Sequence, residues 1–153
     1  TSEIARLNAD FLASRESAEL RTETLQMGFS LNRLLKDLRD PALEAVQATL
    51  AAQPEIAFPT AWSGIAAAWS IAPAVATAAY LWSWAENQVM AALKAVPLGQ
   101  AAGQRLLARL GRQIPVVAES AEQLPEAEWS NFTPAFAIFS ARHETQYSRL
   151  FRS

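Results

Sequence analysis

The sequence predicts an all-α chain, a single-domain multi-helix bundle with long central Ala-rich helices. Three observations lead there. Of 153 residues, thirty-two are Ala and eighteen Leu, both strong helix formers, whereas Val, Ile and Thr together number only twenty. Large apolar residues recur at spacings of three and four, the period of one helix face. Two dipeptides, Asp40-Pro41 and Thr133-Pro134, place proline directly after a capping residue, the arrangement that opens a helix.

The elements follow in order. Ser2 is placed to cap a first helix with Glu3 in its first turn, and Ile4, Leu7 and Phe11 supply its apolar face. Residues 15–23 read as a solvated charged face, with Arg15 and Glu19 at the spacing of an i,i+4 pair. Leu20, Leu25 or Met27, Leu31, Leu34, Leu35 and Leu38 continue the pattern, which predicts one long helix, or two with a kink near Gly28. Asp40-Pro41 restarts a helix striped by Leu43, Val46 and Leu50, and the two prolines of 53–59 make that stretch a loop. Thr60 is expected to cap a short helix reaching Ser70. Pro73 then opens one reaching Ala95, which Val96-Pro97 ends because a residue before proline avoids helical geometry. Residues 100–112 form a further helix, with Leu106, Leu107 and Leu110 inward and Arg105, Arg109 and Arg112 outward. A separate short helix is expected over 115–123, a loop over 124–132, and a last helix from Thr133-Pro134 to His143. Residues 1–144 form the helical domain, followed by a polar, basic tail over 145–153.

Composition excludes much. With no Cys, the chain holds no disulfide, thiolate metal site or thiol nucleophile. One His removes any site needing two imidazoles. A net charge of −2 provides no general attraction for nucleic acid. No basic segment followed by an apolar run opens the chain, so no signal peptide is expected.

Charge is unevenly spread. Residues 1–44 carry eight acids and six bases, whereas residues 56–104 carry only Glu86 and Lys94. A stretch this poor in charge raises the question of a membrane span. Nine of the twenty-two residues over 61–82 are Ala, Pro73 interrupts them, and no basic cluster flanks them. No membrane association is therefore expected. The stretch reads as small-residue helices at the centre of a bundle, buried on most sides.

No Gly-rich phosphate loop or nucleophile elbow occurs. His143 and Glu144 are neighbours on different faces of a helix, a poor metal pair. A lone His on a helix could ligate haem, so an all-helical single-His cofactor protein is the alternative reading, set against a partly exposed His with no such role. Two segments stand out. Around Trp82 and Trp84, a recognition stripe of Glu86, Gln88 and Lys94 competes with an ordinary exposed helix edge. At the end of the chain, His143, Glu144, Tyr147, Arg149, Leu150 and Phe151 mix charge with aromatics, as segments that order on binding do, although a frayed end is the plainer reading.

These same segments carry a resemblance. Glu86-Asn87-Gln88-Val89-Met90-Ala91 and Lys94-Ala95-Val96-Pro97-Leu98-Gly99-Gln100 resemble the central signature of the UreF family of urease accessory proteins. The string over 140–153 is similar to that family's C-terminus, and 13–21 to a weaker upstream motif. The resemblance implies an all-helical homodimer without catalytic activity, acting in the cytoplasm. It implies that the chain bridges UreD (UreH in some organisms) and the GTPase UreG on apo-urease. Nickel and GTP would belong to that partner complex, with no cofactor or metal held by this chain. It assigns His143, Glu144, Tyr147, Arg149, Leu150 and Phe151 to UreD docking, and Glu86, Gln88 and Lys94 to the UreG-facing, GTPase-modulating surface. The family's N-terminal Leu-Pro-Xaa-Gly-Xaa-Tyr/Phe-Ser segment has no counterpart here, so the chain is expected to lack the family's N-terminal part.

Overall fold

The structure, a computed structural model, describes residues 2–131 and 133–147, with Ser2 described by its backbone alone. The described residues form α1 (Ser2–Ala13), α2 (Ala18–Leu38), α3 (Glu44–Ala51), α4 (Phe58–Ala68), α5 (Pro73–Ala95), α6 (Gln100–Gln123) and α7 (Pro134–Glu144). Single 3-10 turns stand at Pro41–Leu43 and Glu126–Glu128, and there is no strand among the described residues. The all-α expectation is met. The helices gather into two compact units, one built from α1–α4 and α7, the other from α5 and α6.

In the first unit the break between α1 and α2 falls at 14–17, not near Gly28. The Ser14 hydroxyl donates to the Phe11 carbonyl, and Ser17 caps α2 by accepting from the Leu20 amide at 3.3 Å. These short polar side chains satisfy backbone groups that would otherwise continue the helix. Arg15 lies over the Phe11 ring, 4.2 Å from its centroid, and not on a charged face with Glu19. Helix α2 passes unbroken through Gly28, which is buried there because the Ile56 carbonyl occupies the place of a side chain. It ends where Arg39 turns left-handed, at φ 50°.

Asp40 then caps the Pro41–Leu43 turn, accepting from the Ala42 amide at 2.9 Å, as its dipeptide predicts. It also accepts from the Trp69 indole at 2.9 Å. That indole bond, with the Ala42 amide second, holds the Asp40 carboxyl below its usual value. The core joins Leu35 of α2, Leu43, Leu50 of α3, and Ala61 and Ile65 of α4, with Leu31, Val46, Ile56 and Ala68 packed around them.

Helix α4 opens differently from expectation. Thr60 lies inside its first turn and donates its hydroxyl to Asn8 Oδ1 at 2.8 Å. The free amides of that turn are capped from other helices. Asn8 Oδ1 accepts from the Ala57 amide at 3.0 Å, and Thr24 Oγ1 accepts from the Phe58 amide at 3.1 Å. Asn8, only 5% exposed, also donates to the Glu55 carbonyl, so one amide ties α1 to the whole entry of α4.

In the second unit α5 ends at Val96, whose backbone is extended ahead of Pro97, as predicted. Helix α6 continues through Pro115, where two helices were expected. One long seam explains this. Gly103, Leu107 and Ala118 are buried along α6, and Ala85 and Val89 along α5, the helix it packs against. The seam offsets the roughly 3 kcal/mol that an internal proline costs. Leu93 packs against Gly103, and Trp82 against Gly111. Leu107 is buried as expected and Leu110 half-buried, whereas Leu106 is exposed; Arg105, Arg109 and Arg112 do point outward.

The charge-poor stretch divides. In α4, Ala61, Ile65 and Ala66 are buried. In α5 only Ala85 and Val89 are, so the expectation of a helix buried on most sides fails there. A helix packed along a single seam leaves its other faces open. No helix among the described residues is long and apolar enough to cross a membrane.

Candidate functional site

Helix α5 presents the first candidate surface. Glu86, Gln88 and Lys94 are all exposed. At about 100° per residue Gln88 is turned about 200° from Glu86, and Lys94 about 80°, so the three spread around the helix and do not form one stripe. Large apolar neighbours share this exposure: Val75 at 59%, Trp84 at 58% and Met90 at 46%. The Trp pair therefore does two jobs. Trp82 packs on Gly111 of α6, and Trp84 stands in solvent. Open Trp and Met side chains are enriched at the cores of protein interfaces, and Glu and Lys suit the polar rim around them.

The second candidate lies where α7 meets the start of α2, within the first unit. Ser140 Oγ donates to Ser17 Oγ at 2.6 Å. His143 Nδ1 lies 2.6 Å from Glu19 Oε2, and Glu144 Oε1 accepts from the Ala18 amide. Just before α7, Asn131 donates to the Ser14 carbonyl and to Glu16 Oε1. Although expected on different faces, His143 and Glu144 both reach the first turn of α2, where acceptors and negative charge complement the free amides. Thr133 does not cap α7, because its hydroxyl donates to the Asn131 carbonyl at 3.2 Å.

This clasp is polar throughout. No residue of α7 is buried, and Phe136, Ile138 and Phe139 are exposed. Of the C-terminal candidates, His143 and Glu144 are thus engaged within the chain, and Tyr147 is fully exposed. Arg149, Leu150 and Phe151 lie outside the described residues. Glu19 was read in the sequence as a partner of Arg15, and Ser17 and Ala18 only as part of the 13–21 motif; neither these three nor Asn131 was expected to meet α7. They lie more than a hundred residues from their partners, and no local spacing signals them.

A shallow groove of about 540 Å³ runs beside α2, lined by Glu23, Gln26, Met27, Ser30, Leu31, Leu34 and Phe58. Among the described residues no group of three or more His, Asp or Glu side chains is placed to hold a metal ion.

Fold and surface define the class: an all-α protein whose conspicuous side chains lie on open helix faces and at a helix-to-helix clasp. A family model described as UreF matches residues 1–111. The chain is 73% identical to the urease accessory protein UreF of Dechloromonas aromatica (strain RCB), over 99% of its own length and 66% of that protein's. It is 65% identical to UreF of Azoarcus sp. (strain BH72), over 99% of its length and 65% of that protein's. The UreF of Methylobacillus flagellatus is 52% identical over 95% of this chain and 64% of its own. The chain belongs to the UreF family of urease accessory proteins. It spans about two thirds of the length of these relatives.

Proposed function

We propose that this chain is a non-enzymatic adaptor in urease maturation. It bridges UreD (UreH) and the GTPase UreG, and modulates GTP-dependent insertion of nickel into apo-urease. It works in the cytoplasm as a homodimer, with nickel and GTP held by the partner complex and none by this chain. The observation that carries the reading is the 73% identity, over 99% of the chain, to a protein named urease accessory protein UreF.

The open surfaces support it. Tyr147 is fully exposed just beyond a helix whose own polar residues already hold it to α2. That leaves Tyr147 and the residues after it, Arg149, Leu150 and Phe151, for UreD, with His143 and Glu144 setting where the tail departs. Glu86, Gln88 and Lys94 stand on the exposed surface of α5 beside Trp84 and Met90, and we assign this surface to UreG.

Co-purification tests the reading. Tagged full-length protein carrying this chain should retain UreD, and then UreG in the presence of UreD. Recovery of neither partner sinks the proposal.

A further inference from the structure

Helix α6 carries three arginines in a row. Opposite its buried seam it exposes Arg105, Arg109 and Arg112, spaced four and three residues apart, so they follow one side of the helix over about 10.5 Å. None of the three forms a salt bridge among the described residues. Every position three or four residues from one of them holds Ala, Leu, Gln, Pro, Val or another of the three, never Asp or Glu. Arg6 shows the opposite arrangement, with Glu3 and Asp10 at those spacings and both bonded to it. Like charges so placed repel one another and lower the stability of a helix. The row therefore works against the fold of the single chain, and such local conflicts concentrate at functional surfaces. Apolar surface adjoins it. Val116, 64% exposed, continues the row past Arg112, and Leu106 and Val117 stand open to one side.

We propose that this face of α6 docks an acidic segment of a protein partner. Carboxylates of the partner pair with Arg105, Arg109 and Arg112, and apolar side chains beside them cover Val116. Arginine suits the task, because its planar fork takes a carboxylate through two hydrogen bonds and it is enriched at interfaces. The inference rests on the adaptor reading and adds a third surface to the tail and the open side of α5. A nucleic-acid duplex fits the face less well. Three cations over so short a row neutralise few phosphates, and Glu119 follows Val116 within a turn on the same side and repels them.

Arg109→Glu in full-length protein tests this through two readouts that move in opposite directions. The change removes the repulsion from both Arg105 and Arg112 and sets an acid at pairing distance from each, so the urea midpoint should rise. In assemblies reconstituted from purified UreD, UreG and apo-urease, the affinity for one of the three should nevertheless fall about tenfold or more. Wild-type affinity for that same protein should weaken between roughly 50 and 500 mM NaCl. If circular dichroism shows that Arg109→Glu has lost helicity, Arg105→Gln with Arg112→Gln replaces it, with the same two expectations. A face that is only solvated produces the first effect without the second, so a higher midpoint with all three affinities unchanged overturns the proposal. A variant whose sole loss is binding to a short DNA duplex also overturns it and assigns the row to a polyanion. A wild type that retains none of the three proteins overturns the adaptor reading itself, and this inference with it.

Discussion

Gly28 sits inside α2, where Ala would ordinarily be the better residue by about 1 kcal/mol. Here a Cβ would stand 2.1 Å from the Ile56 carbonyl oxygen, which is backbone and cannot swing aside. Gly28→Ala should therefore reverse the propensity rule and cost about 3 kcal/mol, measured by urea denaturation. Asn8 makes the complementary case. Its side chain serves Glu55, Ala57 and Thr60 together. Asn8→Ala leaves those groups orphaned in a buried place, a loss of about 2–3 kcal/mol. Asp40 adds a pH dependence. Its folded carboxyl titrates below the ordinary value of 3.8, so the charged form contributes stability at neutral pH. That contribution is lost as pH falls through the lower folded value. Asp40→Asn should be less stable than the wild type at pH 7, and the gap between their urea midpoints should close as pH drops below 3.8. At this scale the capping role of Asp40 was legible from its dipeptide. The roles of Gly28 and Asn8 were not, because each answers to a loop met only after the chain has folded.

Helices show a similar division. Starts and stops written in adjacent residues, such as Asp40-Pro41 and Val96-Pro97, stand where the sequence places them. Pro115 is the exception, since a long buried seam holds α6 helical through it. Pro115→Ala restores a backbone amide to the helix interior and should raise stability by about 1–3 kcal/mol, seen as a higher urea midpoint. Helix α7 sits at the other extreme, held by polar contacts with no residue buried. Glu144→Ala with Ser140→Ala should speed amide exchange in α7 and the first turn of α2 while far-UV ellipticity barely changes. Unaltered exchange in both segments would show that the clasp does not hold the helix.

For the molecule as a whole, the exposed side chains matter more than the buried ones. Val75, Trp84, Met90, Phe136 and Phe139 all face solvent in the single chain, more large apolar surface than solubility alone favours. The adaptor reading gives these surfaces partners, and it separates two expected losses. Deleting 147–153 should abolish UreD retention with helicity unchanged. Lys94→Ala should alter GTP hydrolysis in the complex of UreD, this protein and UreG more than it alters assembly. A hydrolysis rate equal to wild type, with assembly intact, counts against Lys94.

By itself the sequence determined the all-α class, most helix limits and the family. These depend on composition, on local caps and prolines, and on two short strings of residues, all of which act within a few positions along the chain. Only the tertiary structure decided that α2 begins under a clasp from α7, that α4 is capped by Asn8 and Thr24, and that α5 lies open along most of its surface. Those outcomes depend on groups tens to more than a hundred residues apart. Burial leaves the side chains of Asn8, Ser17 and Thr24 to find whatever partner the packing brings near, and no spacing in the chain encodes that choice.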